Sequence, residues 1–190
     1  MTDLSTLDDA ALAAALAMIQ GEDDATRARL SSPTALRDAA LYYASRGIAV
    51  FPCVPGGKTP LTKNGLHDAT TDATAVGSWW RRQPTANIGM PTGRSFDVID
   101  VDGPAGFTSY LEMVDEKIVP PTIGRSYTAG TAGREGRHVF IAPTAAGNGA
   151  NIRPGIDYRG LGGYIIAPPS VGPDGRRYSW ITPLKALAQP

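Results

Sequence analysis

Apolar and polar positions alternate with two different periods along this chain, helical in the first part and strand-like after Pro84. In the Ala-rich segment 6–20, Leu7, Leu12, Leu16 and Ile19 form a rough helical stripe, and Asp8 or Asp9 complements the positive end of that helix. Gly21 to Asp24 breaks the pattern, so this segment is expected to be a peripheral arm or a contact for another chain. A second helix is predicted to start at Ser32-Pro33-Thr34, with Thr34 at the N-cap, Leu36, Ala40, Leu41 and Tyr43 facing the core, and Gly47 as its stop. Ile48 to Phe51 reads as a short strand closed by Pro52. The stretch PCVPGGKTPLTKNG reads as a loop, and a short helix over Ala73 to Arg82 carries Trp79 and Trp80. Two adjacent tryptophans on a helix cannot both face the core, so one is expected to be buried and the other half-buried, within reach of a stacked base.

Past Pro84 short apolar runs bounded by glycine and proline predict strands at Phe96–Asp102, His138–Ala142, Gly155–Tyr158, Tyr164–Ala167 and Arg177–Trp180. One helix, Phe107–Lys117, lies among them. Strands and helices mix without strict alternation, so the predicted class is α+β. The domain organisation expected is an N-terminal helical extension over 1–32, one globular domain over 33–183 and a tail or linker over 184–190.

Composition narrows the picture. The 190 residues are 42% hydrophobic, enough for one sizeable core, and 22 glycines with 16 prolines argue for many turns rather than a helical bundle. A lone cysteine, Cys53, excludes an intrachain disulfide and a Cys-based zinc site, and fits a reducing compartment. No run of 18 apolar residues is present and the N-terminus lacks a basic n-region, so a cytoplasmic protein without membrane association is expected. The net charge is zero, yet residues 1–30 hold six acids against Arg27 and Arg29, leaving 16 basic and 12 acidic residues in the other 160. Cations bound at clustered acids would leave the working surface more positive still.

The most informative segment is FDVIDVDG. Strand alternation puts Asp100 and Asp102 on one face, about 7 Å apart, with Val98 beside them and Ile99 and Val101 on the other. Asp97 faces away from the pair and is not expected to be a ligand. Adjacent carboxylates repel unless cations lie between them, and carboxylate oxygens suit magnesium or manganese. An isolated D-x-D is also what a solvated strand face shows, so its companions must decide. In GREGRHVFIAP, Arg137 and His138 are both able to donate to phosphate. In GIDYRGLGGYIIAPPS, Asp157 and Arg159 share a strand face, and the following glycine-rich turn reads as a hairpin into Tyr164–Ala167, closed by Pro168-Pro169.

Taken together, these segments resemble the bifunctional primase/polymerase N-terminal domain of the archaeo-eukaryotic primase superfamily, found in plasmid, phage and mobile-element replication proteins. The match lies in the two acids Asp100 and Asp102, then Gly136, Arg137 and His138, then Asp157, Arg159, Gly162, Gly163, Tyr164 and Pro168-Pro169-Ser170. VFPCVPGGKTPLTKNGLHDATTD, the Trp79-Trp80 pair and ANIGMPTG match the family's opening portion, and the resemblance covers roughly residues 35–180. One departure is that Arg134-Glu135-Gly136-Arg137 stand where the family often has a serine and two glycines before the histidine. Thr128, Thr131 or backbone amides would then supply the phosphate contact.

The resemblance implies a primase-like core with an RRM-like antiparallel or mixed sheet flanked by helices. It implies template-directed nucleotidyl transfer, with Asp100, Asp102 and Asp157 holding two magnesium or manganese ions. His138 and Arg137 would bind the triphosphate, with Arg159 as a further contact, and Lys58 and Lys63 would meet the template or primer backbone. The implied partners are ribo- or deoxynucleoside triphosphates, a single-stranded DNA template and primer, and a helicase domain or protein. Two rival readings use the same residues: a metal-dependent nuclease or phosphodiesterase, and a non-catalytic nucleotide- or DNA-binding module that recruits a helicase. The first needs a water-activating base, commonly lysine, and none lies close in sequence to the three acids.

Overall fold

A computed structural model describes residues 32–119, 128–130 and 136–181, so the predicted arm 6–20 and the tail 184–190 lie outside the described residues. From Leu36 onward these residues belong to one compact unit. The architecture is α+β, with two antiparallel sheets and three helices among the described residues. In chain order the elements are α1 (Ala35–Ser45), β1 (Phe51–Cys53), a 3-10 turn (Gly65–Asp68), α2 (Ala73–Arg82), β2 (Asn87–Pro91), β3 (Asp97–Asp102) and α3 (Gly103–Asp115). They continue with β4 (Thr128–Gly130), β5 (Gly136–Ile141), β6 (Gly149–Arg153), β7 (Ile156–Arg159), β8 (Tyr164–Ala167) and β9 (Ser179–Trp180). No helix among the described residues is long and apolar enough to cross a membrane.

The small sheet has the order β1-β2-β8 and the large one β6-β7-β3-β5-β4-β9. Two predicted elements are corrected here. The strand expected over Ile48–Phe51 is shifted to Phe51–Cys53, with Pro52 inside it rather than closing it. Proline is tolerated there because β1 is an edge strand, and the Pro52 carbonyl accepts from the Leu61 amide at 2.9 Å as the following loop folds back. The hairpin expected between Gly155–Tyr158 and Tyr164–Ala167 does not exist: β7 belongs to the large sheet and β8 to the small one. The glycine-rich turn instead carries the chain across, pinned by Thr92, whose amide donates to Gly163 O at 2.9 Å and whose hydroxyl donates to Gly160 O at 2.7 Å.

Each face of β3 is covered differently. Ile99 and Val101 pack with Tyr110 and Met113 of α3 and with Val139 and Ile156. On the opposite face Val98 joins Phe140, α1, α2, β2 and β8 in the largest apolar cluster, where Trp80 is 1% exposed and Trp79 packs at the margin. Full burial of side chains such as Val98 or Phe140 contributes roughly 1.5–3 kcal/mol each. Polar groups inside this cluster are partnered in a relay, Trp180 Nε1 donating to Tyr43 Oη at 2.8 Å and Tyr43 Oη to Pro168 O at 2.6 Å. Ser170, just past the two prolines, accepts from the Ile88 amide at 2.8 Å, which satisfies a buried donor of β2.

Helix α3 starts at Gly103, earlier than the predicted Phe107, with Asp102 at its N-cap position and a proline in its first turn. The Asp102 amide donates to Gly155 O at 2.8 Å, tying the end of β3 to the β6–β7 turn. Gly155 has φ +69°, and a β-carbon there would lie 2.6 Å from Asp102 O, so only glycine fits.

Candidate active site

Along one face of β3 the residues run from apolar to acidic: Val98 is fully buried, Asp100 is 7% exposed and Asp102 is half-buried. The register of the neighbouring strands completes the site. Asp100 stands opposite Asp157 on β7 and opposite His138 on β5, so Asp157, Asp100 and His138 form one row across three strands. Arg159, two residues beyond Asp157, stands opposite Val98 on the same face.

Charge in this row is partly compensated. Arg159 Nη2 lies 2.7 Å from Asp157 Oδ2 and 3.5 Å from Asp100 Oδ2, a single guanidinium spanning two acids. Asp157 Oδ1 accepts from the Asn151 amide at 2.7 Å, so both oxygens of Asp157 are engaged. Burial pushes the Asp100 carboxyl above the ordinary carboxylate range, Asp157 pushes the same way, and Arg159 and Lys58 pull it down. His138 is 4% exposed, and burial pushes it down to about 3, helped by Lys58 and Arg159 and opposed by Asp102. The imidazole is therefore neutral at pH 7, and its Nε2 contact with Asp100 Oδ1 at 3.5 Å is a long polar contact rather than an ion pair. Its Nδ1 is buried with no hydrogen-bond partner.

Tyr178 closes the site from the side, its ring stacked on His138 at 6.0 Å and its phenol pushed up to about 12 by burial first and then by Asp100, Asp102 and Asp174. Nothing in the sequence signals this tyrosine, which lies outside every motif noted above. Lys58 is exposed, and its charge acts on both Asp100 and His138. Its position is set by a hairpin-like loop in which Val54 N donates to Thr59 O at 2.8 Å, while the buried Asn87 side chain donates to Gly57 O at 2.9 Å and Tyr164 Oη to Lys58 O at 3.0 Å.

Not every residue expected at the site is there. Arg137 alternates with His138 and points to the opposite face of β5, its guanidinium 5.7 Å from the Phe107 ring centroid on α3. Lys63 also lies elsewhere, beside Trp79 and Arg82 in a cavity of about 390 Å3. Asp97 faces α3's side of the sheet, where it accepts from the Thr144 amide at 2.7 Å, from the Thr144 hydroxyl and from Tyr158 Oη. Thr131, Arg134 and Glu135 fall outside the described residues, as does the side chain of Thr128.

Among the described residues no three acidic, histidine or cysteine side chains are drawn together tightly enough to form a ready metal site. The donors nevertheless fit a divalent cation in kind, being hard carboxylate oxygens on one sheet face. The guanidinium spanning Asp100 and Asp157 marks where positive charge is needed between them. Residues 40–190 match the family described as bifunctional DNA primase/polymerase, N-terminal (Prim-Pol). No curated protein matches the chain.

Proposed function

The chain belongs to the bifunctional DNA primase/polymerase N-terminal family, and from that premise we propose that it performs template-directed nucleotidyl transfer at the Asp100/Asp102/Asp157 face in the replication of a mobile element. The observation that carries this reading is the cross-strand row Asp157–Asp100–His138, which puts acids distant in sequence side by side on one sheet face. The six-stranded sheet with α3 behind it is the primase-like, RRM-type core in this reading.

Asp100, Asp102 and Asp157 would hold two magnesium or manganese ions. Bound there, such ions supply charge neutralisation for the triphosphate and activation of the attacking 3′-hydroxyl. Arg159 then has its guanidinium free for a phosphate oxygen, the other anion within its reach. His138, neutral and held by Tyr178, is a hydrogen-bond donor that keeps its orientation, which suits a triphosphate contact at constant charge across the neutral pH range. Lys58 adds positive charge at the mouth of the site, where it meets phosphate of the nucleotide or the primer strand. Phosphoryl chemistry of this kind rests on positioning and charge, so no covalent nucleophile is required.

The test is incubation with a single-stranded template, primer, manganese or magnesium and labelled nucleotides. The intact chain is expected to extend or initiate an oligonucleotide with pyrophosphate release, and Asp100→Ala is expected to do neither. Strand cleavage without pyrophosphate release would turn the reading to a phosphodiesterase. Equal extension by both proteins would remove these acids from the chemistry.

A further inference from the structure

The cavity of about 390 Å3 between Pro52 of β1, the loop that follows it and the end of α2 has a composition the reading above does not use. Trp79, on α2 next to the fully buried Trp80, is half-buried and lines this cavity. Leu61, 46% exposed, lines it as well, and Lys63 and Arg82 bring two cationic heads. Neither cation forms a salt bridge with a described residue. The single acid in the lining, Asp68, is held by its own loop: its carboxylate accepts from the Asn64 amide and from Asn64 Nδ2, each at 2.8 Å. The cavity thus offers an aromatic ring and an aliphatic side chain with two cations beside them, of which Lys63 also acts on the Asp68 carboxylate. An unpaired nucleotide has the complementary make-up, a π-faced base joined to an anionic backbone.

The backbone supports a strand rather than an isolated ligand. The loop that follows β1 folds back on itself, Cys53 bridging to Pro60 and Leu61 N bonding to Pro52 O. Lys58 therefore lies in the returning part of the loop, acting on Asp100, and Lys63 lies just past its base, in the cavity. One short loop thus carries a cation that acts on Asp100 and leads into another that lines the cavity.

We propose that this cavity is a subsite for an unpaired nucleotide of a single-stranded nucleic acid, its base stacked on Trp79 and its flanking phosphates met by Lys63 and Arg82. The identification of that strand as the template rests on the polymerase reading; the subsite itself does not. An oligothymidylate of about twelve nucleotides is the probe, long enough to span such a site. The intact chain is titrated at several salt concentrations by the anisotropy of the end-labelled probe and, with unlabelled probe, by tryptophan fluorescence, beside Lys63→Ser/Arg82→Ser, Trp79→Phe and Trp79→Leu. The surface pair is expected to weaken binding about tenfold or more and to reduce the slope of log affinity against log salt by about 1.4, two phosphate contacts' worth for a single strand. Trp79→Leu should weaken it by about tenfold, and Trp79→Phe should keep most of the affinity while losing most of the quenching, since Trp80 is buried.

Unchanged affinity and salt slope in the surface pair would overturn the proposal whether or not the tryptophan variants fold. Equal occupancy by free thymidine monophosphate at the same nucleotide concentration would overturn it in favour of a mononucleotide site, and equal binding of polyglutamate in favour of a general anion patch. Asp100→Ala, carried in parallel, separates the two claims: it should bind the oligonucleotide like the intact chain, whatever it does to nucleotide incorporation.

Discussion

Both faces of the large sheet combine β3 aspartates with an arginine, Asp97 with Arg137 on one and Asp100 and Asp102 with Arg159 on the other, and the two sets are used in opposite ways. On the face covered by α3, Asp97 is fully buried and receives short hydrogen bonds from Thr144 and Tyr158, and Arg137 lies over the Phe107 ring. On the open face, Asp100 is almost as buried but has only 3.5 Å contacts, to Arg159 and to a neutral imidazole. Burial alone does not distinguish a structural acid from a working one. What differs is what serves the charge: Asp97 Oδ2 is held by donors that belong to the fold, although its Oδ1 is buried without a partner, whereas Asp100 meets a cation at arm's length that another cation can replace.

The largest effect that tests this contrast is on activity. Asp100→Ala removes a carboxylate from the proposed metal-binding face, and loss of several kcal/mol of transition-state stabilisation corresponds to a fall on the order of a thousandfold in incorporation rate. Its melting temperature should hold or rise, because a buried and poorly compensated charge is removed. A large loss of stability without loss of rate would reverse the assignment of the two faces.

Asp97→Ala is the counterpart. It leaves the Thr144 amide without its acceptor and the Tyr158 hydroxyl with Thr144 Oγ1 in place of the carboxylate, and should cost about 3 kcal/mol of folding free energy in urea or thermal melts. The rate per folded molecule should stay within a few-fold of the original. If Asp97→Ala folds normally and loses activity, the acid belongs to the site after all.

The contrast was half legible before the structure. Strand alternation alone separates Asp97 from Asp100 and Asp102, because a period of two leaves no freedom once the strand is fixed. The same rule, applied to the adjacent pair Arg137 and His138, puts them on opposite faces, so assigning both to one phosphate overlooked it. The meeting of Asp157 with Asp100 was expected only from resemblance, since which strands pair is set by long-range packing and no local pattern encodes it. The supposed β7–β8 hairpin failed for that reason: a glycine-rich turn between two apolar runs looks alike whether the chain folds back or crosses to another sheet. Strands β2 and β6 carried little signal, NIGMP being broken by glycine and proline and GANIR being polar and largely exposed.

A smaller effect should come from Arg159→Ala. Removing a charge-assisted contact to phosphate should raise the KM for triphosphate about tenfold. The metal concentration needed for half-maximal activity should not rise, because the guanidinium that spans Asp100 and Asp157 competes with cations for the same oxygens. A KM unchanged by the substitution would confine Arg159 to holding the acids.

The smallest effect, and the sharpest discriminator between the faces, belongs to Arg137→Ala. The side chain gives up a contact with the Phe107 ring and a bond from its Nη1 to Gly136 O at 2.8 Å, both at a partly exposed site. A cation–π contact of that exposure contributes about 0.5–1 kcal/mol, which for a chain of this size lowers the melting temperature by roughly 1–4 °C. Because Arg137 points toward α3, the KM for triphosphate should not move, whereas Arg159→Ala, on the other face of the same sheet, should shift it. Parallel KM increases in both arginine variants would mean that β5 turns its other side to the substrate during turnover, and the division of labour between the two faces would fail at its least conspicuous residue.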